Sequence, residues 1–71
     1  MNMTEREKNF TDALVKKGVA FTSVTEPTEG FLQVVTCDSK KVQSVAKEFA
    51  YTFVKEDRVG NESVVYFLTD F

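Results

Sequence analysis

Acidic side chains gather at the two places where the sequence predicts tight turns, and they are the first candidates for chemistry. They are Glu26 and Glu29 in the first turn, and Glu56, Asp57 and Glu62 around the second. Paired carboxylates act as general acids and bases or as ligands for hard cations. The topology derived below puts the two turns at opposite ends of one sheet, so the two groups do not converge. We therefore expect them to solvate the turns and, as a weaker prediction, to recognise a basic partner.

The chain has few residues that could support nucleophilic or histidine-dependent catalysis. The sequence contains no histidine, and Cys37 is its only cysteine. A cysteine nucleophile usually depends on a neighbouring base, and no imidazole is present to serve as one or to bind a metal. The three glycines are isolated and form no phosphate-binding loop. The sequence thus predicts a protein that is not an enzyme, with no cofactor and no metal, and a reduced thiol typical of the cytoplasm.

Length and charge limit the classes of protein to which this chain can belong. The 71 residues are 42% hydrophobic and carry a formal charge of −2, which predicts one small globular domain over residues 1–71. Proteins that bind a phosphate backbone usually carry a basic excess, and none is present here. The longest apolar run, residues 64–68, is too short to cross a bilayer, so we expect no membrane association.

The elements that must position these residues follow from local signals. Thr4 and Glu7 have the spacing of a capping box, which predicts that a helix begins at Thr4. Apolar residues then recur at helical spacing, and Gly18 suits the left-handed cap at the end of that helix. Strand and turn signals define the rest of the pattern. It predicts helices over 4–17 and 39–50, and strands over 19–25, 31–37, 51–57 and 63–71.

The order αββαββ predicts an α+β fold built from two tandem αββ units, about 4–37 and 38–71. One apolar stripe on each helix favours a two-layer sandwich, a four-stranded antiparallel sheet with both helices on one face. If the second helix runs back along the sheet, strands 2 and 3 point the same way, so another strand must separate them. The orders 1-2-4-3 and 2-1-3-4 both satisfy this requirement. The greater apolarity of strands 2 and 4 favours 1-2-4-3.

The second hairpin carries apolar residues on both of its faces, although two helices can cover only one face. Pairing Glu56 with Ser63 across the turn sets the register. The predicted partner-binding residues on the uncovered face are Tyr51, Phe53, Lys55, Tyr66 and Asp70. A slip of one residue would exchange the two faces.

An apolar patch that the chain cannot cover marks an interaction site more often than an accident. The sequence therefore predicts a non-catalytic interaction protein, an inhibitor or adaptor of the kind that small bacterial or phage accessory genes encode. Its partner is another protein or a second copy docked on the same sheet face. The alternative is that single-stranded nucleic acid stacks on the aromatic face, which the acidic charge disfavours.

Overall fold

The computed structural model describes residues 4–69, and in these residues the predicted α+β order is present. The elements are α1 Glu5–Lys16, β1 Ser23–Thr28, β2 Phe31–Thr36, α2 Ser39–Glu48, β3 Thr52–Val59 and β4 Glu62–Leu68. The four strands form one antiparallel sheet in the order β1-β2-β4-β3. The predicted fold class and strand order are confirmed. Exchanging the two αββ halves leaves this order unchanged, so the architecture is pseudo-symmetric.

The capping box at the start of α1 forms as its spacing predicts. The Thr4 hydroxyl accepts from the Glu7 amide at 3.1 Å, and the Thr4 amide donates to the Glu7 carboxylate at 2.7 Å. At the other end, Gly18 adopts a φ of 69° and its amide donates to the Val15 carbonyl. These bonds satisfy backbone groups that the helix itself leaves unpaired.

The second helix ends in the same way as the first but without a glycine. The amides of Ala50 and Tyr51 donate to the carbonyls of Lys47 and Ala46, each at 3.0 Å, which is the Schellman pattern. Ala50 stands where α1 has Gly18, and its φ of 62° is unfavourable for a residue with a Cβ atom. At the start of α2, Asp38 is the N-cap residue but its side chain makes no capping hydrogen bond.

One hydrophobic core lies between the two helices and one face of the sheet. The helices contribute Phe10 and Leu14 from α1 and Val42, Val45 and Ala46 from α2. The sheet contributes Val24, Leu32, Val34, Val65 and Phe67, which share one face by register. Both helices therefore cover the same side of the sheet, which we call the helix face. The opposite side, the open face, has no helix over it within residues 4–69.

The register of the second hairpin differs from the prediction. Arg58, not Glu56, lies opposite Ser63, because a two-residue turn of Gly60 and Asn61 closes the hairpin and β3 runs on to Val59. A bulge then interrupts β3 between Phe53 and Lys55, leaving Val54 as an extra residue. Because the shift at the turn is two residues, it keeps Lys55 on the predicted face. The bulge moves the residues before it to the other face.

Candidate interaction surface

The open face is apolar in its centre and ringed by polar side chains. Neighbouring pairs across β2 and β4 are Phe31 with Leu68, Gln33 with Tyr66, and Val35 with Val64. The β2 members of these pairs are half-buried, and Leu68 remains 43% exposed. β3, which flanks β4 on the side away from β2, adds Lys55 opposite Tyr66. These residues form an apolar band across three strands that no helix covers within residues 4–69.

Two aromatic rings and one cation define the centre of the band. The rings of Phe31 and Tyr66 stack with centroids 5.6 Å apart and planes 28° apart. The Lys55 Nζ lies 4.9 Å from the centre of the Tyr66 ring, a cation–π distance. The same ammonium lies 3.4 Å from the Asp57 carboxylate. Cross-strand aromatic contacts of this kind hold rings in fixed orientations, which lowers the entropy cost of binding them.

The predicted partner-binding set is divided between the two faces. Lys55 and Tyr66 lie together on the open face, as the sequence predicts. The placement predicted for Tyr51 and Phe53 is wrong, because the bulge at Val54 turns this end of β3 toward the helices. Tyr51 packs on Phe10, with ring centroids 5.8 Å apart, and Phe53 packs on Phe67 at 6.2 Å. Asp70 lies outside the described residues.

Tyr51 and Phe53 instead line a shallow groove between α2 and β3. The groove has a volume of about 340 Å³, and Lys40 and Lys47 of α2 also line it. Burial raises the pKa of the Tyr51 hydroxyl, with a smaller contribution from Glu26 that the charge of Arg6 opposes. Tyr51 is half-buried and packs against the rings of Phe10 and Phe49. Phe53 is 46% exposed at the mouth of the groove.

β3 is unusual among the strands because all eight of its residues are exposed. It is an edge strand of the sheet, so its outer backbone groups have no strand partner within residues 4–69. The opposite edge, β1, contains Pro27, and its pairing is irregular between Thr25 and Thr28. Proline has no N–H group and prevents regular pairing at an edge. β3 is therefore the edge on which another strand can pair.

Glu26, predicted to solvate the first turn, lies in β1 instead, and its side chain is buried. The Glu26 side chain is 2% exposed, and its carboxylate accepts hydrogen bonds from the Thr4 hydroxyl at 2.7 Å, the Gly30 amide at 2.8 Å and Arg6 at 3.0 Å. Burial by itself raises the pKa of Glu26, but these three donors and the charge of Arg6 outweigh it and lower the pKa below its ordinary value. The Glu7 carboxylate also accepts from the Glu26 amide. Together these bonds fasten the start of α1 to the first hairpin.

The other four acidic residues predicted for the turns, Glu29, Glu56, Asp57 and Glu62, lie in different environments. Glu29 is exposed in the first turn, whereas Glu56 and Asp57 lie within β3 and not in a turn, because the strand is longer than predicted. Glu56 accepts a 3.4 Å hydrogen bond from Gln43 of α2, and Asp57 pairs with Lys55. Glu62 is half-buried and accepts from the Thr22 hydroxyl. They do not form a single acidic site.

Three residues that shape this surface, Phe31, Gly60 and Asn61, have signals in the sequence that the prediction did not use. Phe31 belongs to the open face because it lies opposite Leu68, and both stand in strands that are apolar on both faces. The Gly60-Asn61 pair is a known two-residue hairpin signal, and it would have given the correct turn. The bulge at Val54 has no comparable signal in the local sequence.

No group of three or more His, Cys, Asp or Glu residues within residues 4–69 is arranged to hold a metal ion. Over the same residues, no helix has the length and apolarity needed to cross a bilayer. No family model, curated protein or solved structure matches the chain.

Proposed function

We propose that this protein is a non-catalytic interaction module, an inhibitor or adaptor, whose open sheet face binds a partner protein. The observation that carries the proposal is the uncovered apolar band around Phe31, Tyr66 and Leu68. A small domain has few large apolar residues, and placing three of them away from its own core is costly unless another molecule covers them.

The composition of the band also fits a protein partner. Protein interfaces are enriched in aromatic side chains that pack at their centre, surrounded by polar groups that exclude water. Tyr66 is such an aromatic, with Gln33, Lys55 and Asp57 around it. The lysine is held by Asp57 and by the ring, so it presents little free positive charge. A cytoplasmic location is part of the proposal, supported by the free thiol of Cys37.

Affinity capture from cells that make this protein tests the proposal. The bait is compared with Tyr66→Thr, which removes the ring but suits a strand, and with Val15→Ser as a control. Val15 lies on α1 and is 64% exposed, so its replacement also removes an exposed apolar side chain, but in the helix layer. We expect wild type and Val15→Ser to retain one protein in near-equal amounts and Tyr66→Thr to lose it. Equal capture by all three would refute this surface.

The stacked pair of Phe31 and Tyr66 supports single-stranded nucleic acid as a second candidate. Bases stack on exposed rings with little dependence on sequence. The formal charge of −2 opposes this function, since phosphate contacts need free cations. Fluorescence anisotropy with labelled single-stranded DNA and RNA at low salt separates the candidates. Binding that weakens steeply with salt and disappears in Tyr66→Thr would favour nucleic acid over the protein partner.

A further inference from the structure

We propose that the free edge of β3 pairs with β3 of a second copy of this chain, joining two four-stranded sheets into one sheet of eight strands. This interface uses the backbone edge of β3 instead of the centre of the open face, shares only Lys55 and Asp57 with the partner-binding band, and adds self-association to the proposed partner binding. The charge pattern of the strand under two-fold symmetry favours a second copy of this chain as the partner. A two-fold interface presents the same patch from both subunits, so the patch must complement itself.

Geometry allows only a few registers in which two β3 strands can pair with two-fold symmetry. Directly opposed residues in an antiparallel pair lie on the same face, so a two-fold axis perpendicular to the sheet must place one residue opposite its own copy. The regular part of β3 beyond the bulge runs from Lys55 to Val59, and its central residue is Asp57. Centring on Asp57 uses this whole segment. Centring on Glu56 would bring the bulged Val54 into the pairing, and centring on Arg58 would involve the turn residue Gly60.

The register centred on Asp57 matches opposite charges. It sets Glu56 opposite Arg58 of the partner subunit, and by symmetry this pair occurs twice on the helix face. Neither side chain is in an ion pair within residues 4–69; Glu56 accepts only a 3.4 Å hydrogen bond from Gln43, so both charges can pair with a second subunit. Opposite charges facing each other across strands are favourable, whereas like charges are unfavourable.

On the open face, the charges that this register brings together also sum to zero. The two Asp57 carboxylates approach each other at the axis, but each already has a Lys55 ammonium at 3.4 Å within its own chain. Lys55 also lies opposite Val59 of the partner subunit. Val59 is 62% exposed in the single chain, and the methylene groups of the lysine can cover it.

Charged residues on an edge strand usually keep other strands away. Here the same charges select one partner, because a strand without the complementary pattern brings like charges together or leaves charges unpaired. The assembly also stops at two subunits, since the remaining edge of each sheet is β1 with Pro27. The two-fold axis leaves both open faces on the same side of the joined sheet, so the dimer presents two copies of the partner-binding band.

Charge exchange at the predicted pair tests the register. Sedimentation equilibrium from roughly 10 µM to 1 mM covers the weak association expected of a small interface. We expect wild type to rise above the 8.1 kDa of one chain toward twice that mass. Glu56→Arg and Arg58→Glu each place like charges opposite each other and should stay monomeric. The double variant Glu56→Arg with Arg58→Glu restores opposite charges and should regain at least tenfold in association.

Three outcomes would overturn the proposal. Wild type that stays at the mass of one chain excludes the dimer. Single variants that associate as wild type does exclude this interface. A double variant that stays monomeric while circular dichroism shows it folded excludes this register. None of these results affects the open-face proposal, which rests on Tyr66.

Cross-linking checks the axis in a second way, in a background where Cys37→Ser removes the native thiol. In the proposed dimer the two Asp57 Cα atoms lie about 4.5–5.5 Å apart, within the range of a disulfide. Asp57→Cys should therefore form a covalent dimer on mild oxidation. Thr52→Cys is the matched control, an exposed position of the same strand outside the paired segment, and its copies lie far beyond disulfide range in this register. Equal cross-linking of the two variants would contradict the proposal.

Discussion

Replacing Glu26 with Gln tests whether the bonds that fasten α1 to the first hairpin stabilise the fold. The carboxylate accepts from the Thr4 hydroxyl, the Gly30 amide and the Arg6 guanidinium, all within 3.0 Å. Glutamine has nearly the same shape but only one acceptor oxygen. Its NH2 group can donate to the Thr4 hydroxyl while its oxygen still accepts from Gly30 and Arg6, so the geometry is kept but the bonds lose the carboxylate charge.

The size of the effect follows from these three bonds. A hydrogen bond to a charged group contributes about 1.5–3 kcal/mol. The Arg6 side chain is 46% exposed, so water screens its ion pair and its share is small. Because neutral bonds from Thr4 and Gly30 replace charge-assisted ones, we expect Glu26→Gln to lower the free energy of unfolding by about 1–3 kcal/mol. That is a large fraction of the stability of a small domain.

Urea denaturation at pH 7 measures this loss, with Glu29→Gln as the matched control. Glu29 lies in the same hairpin but is exposed, so its replacement should change the free energy of unfolding by less than about 0.5 kcal/mol. Glu26→Gln with a stability within that same margin of wild type would refute the stabilising role of the network.

The pH dependence gives the sign of the charge effect. The pKa of Glu26 is lower in the folded protein than its ordinary value of 4.5, so its charge stabilises the fold above that pH. The contribution is lost as the pH falls through the lowered folded pKa. The difference in stability between wild type and Glu26→Gln should therefore be constant near neutral pH and shrink below about pH 4.5. A difference that stays the same at pH 3 would contradict this assignment.

Three further variants test the backbone and the core. Ala50→Gly should stabilise the protein by about 0.5–1 kcal/mol, because relief of the left-handed strain at a φ of 62° exceeds the entropy gained by the unfolded chain; thermal melting that shows no gain would contradict this. Phe10→Ala should cost about 3–5 kcal/mol in urea denaturation, since this fully buried ring contacts three other rings. Deleting Val54 removes the bulge and sends Phe53 toward the open face, so we expect lower stability and higher binding of a hydrophobic dye, and unchanged values would refute the role of the bulge.

The strand order and both helices were predictable because they depend on rules that act over few residues or over the whole chain. The capping box at Thr4 is a local pattern; the direction of α2 requires a strand between β2 and β3, and the apolarity of β2 and β4 favours β4 there. The division of the predicted partner-binding residues between the two faces of the sheet was not predictable in the same way. One extra residue at Val54 exchanges the faces for Tyr51 and Phe53, and only packing against Phe10 and Phe67 decides where that residue is placed.

Glu26 shows a second limit. In the sequence it is an acidic residue beside a proline, which is typical of an exposed turn. Its burial depends on Thr4 and Arg6, which are about twenty residues away and meet it only after α1 packs on the first hairpin. Contacts of this kind between distant segments are set by tertiary structure, and local propensity contains no information about them.

The most direct test of the central claim is the affinity of the captured partner for Tyr66→Thr, measured by titration calorimetry against wild type and Val15→Ser. Tyr66 lies at the centre of the open face, where the loss of an aromatic side chain typically costs about 2 kcal/mol or more in binding. We therefore expect Tyr66→Thr to bind at least about thirtyfold more weakly, and Val15→Ser to bind as wild type does. If Tyr66→Thr is folded and keeps the wild-type affinity, the open face is not the binding surface.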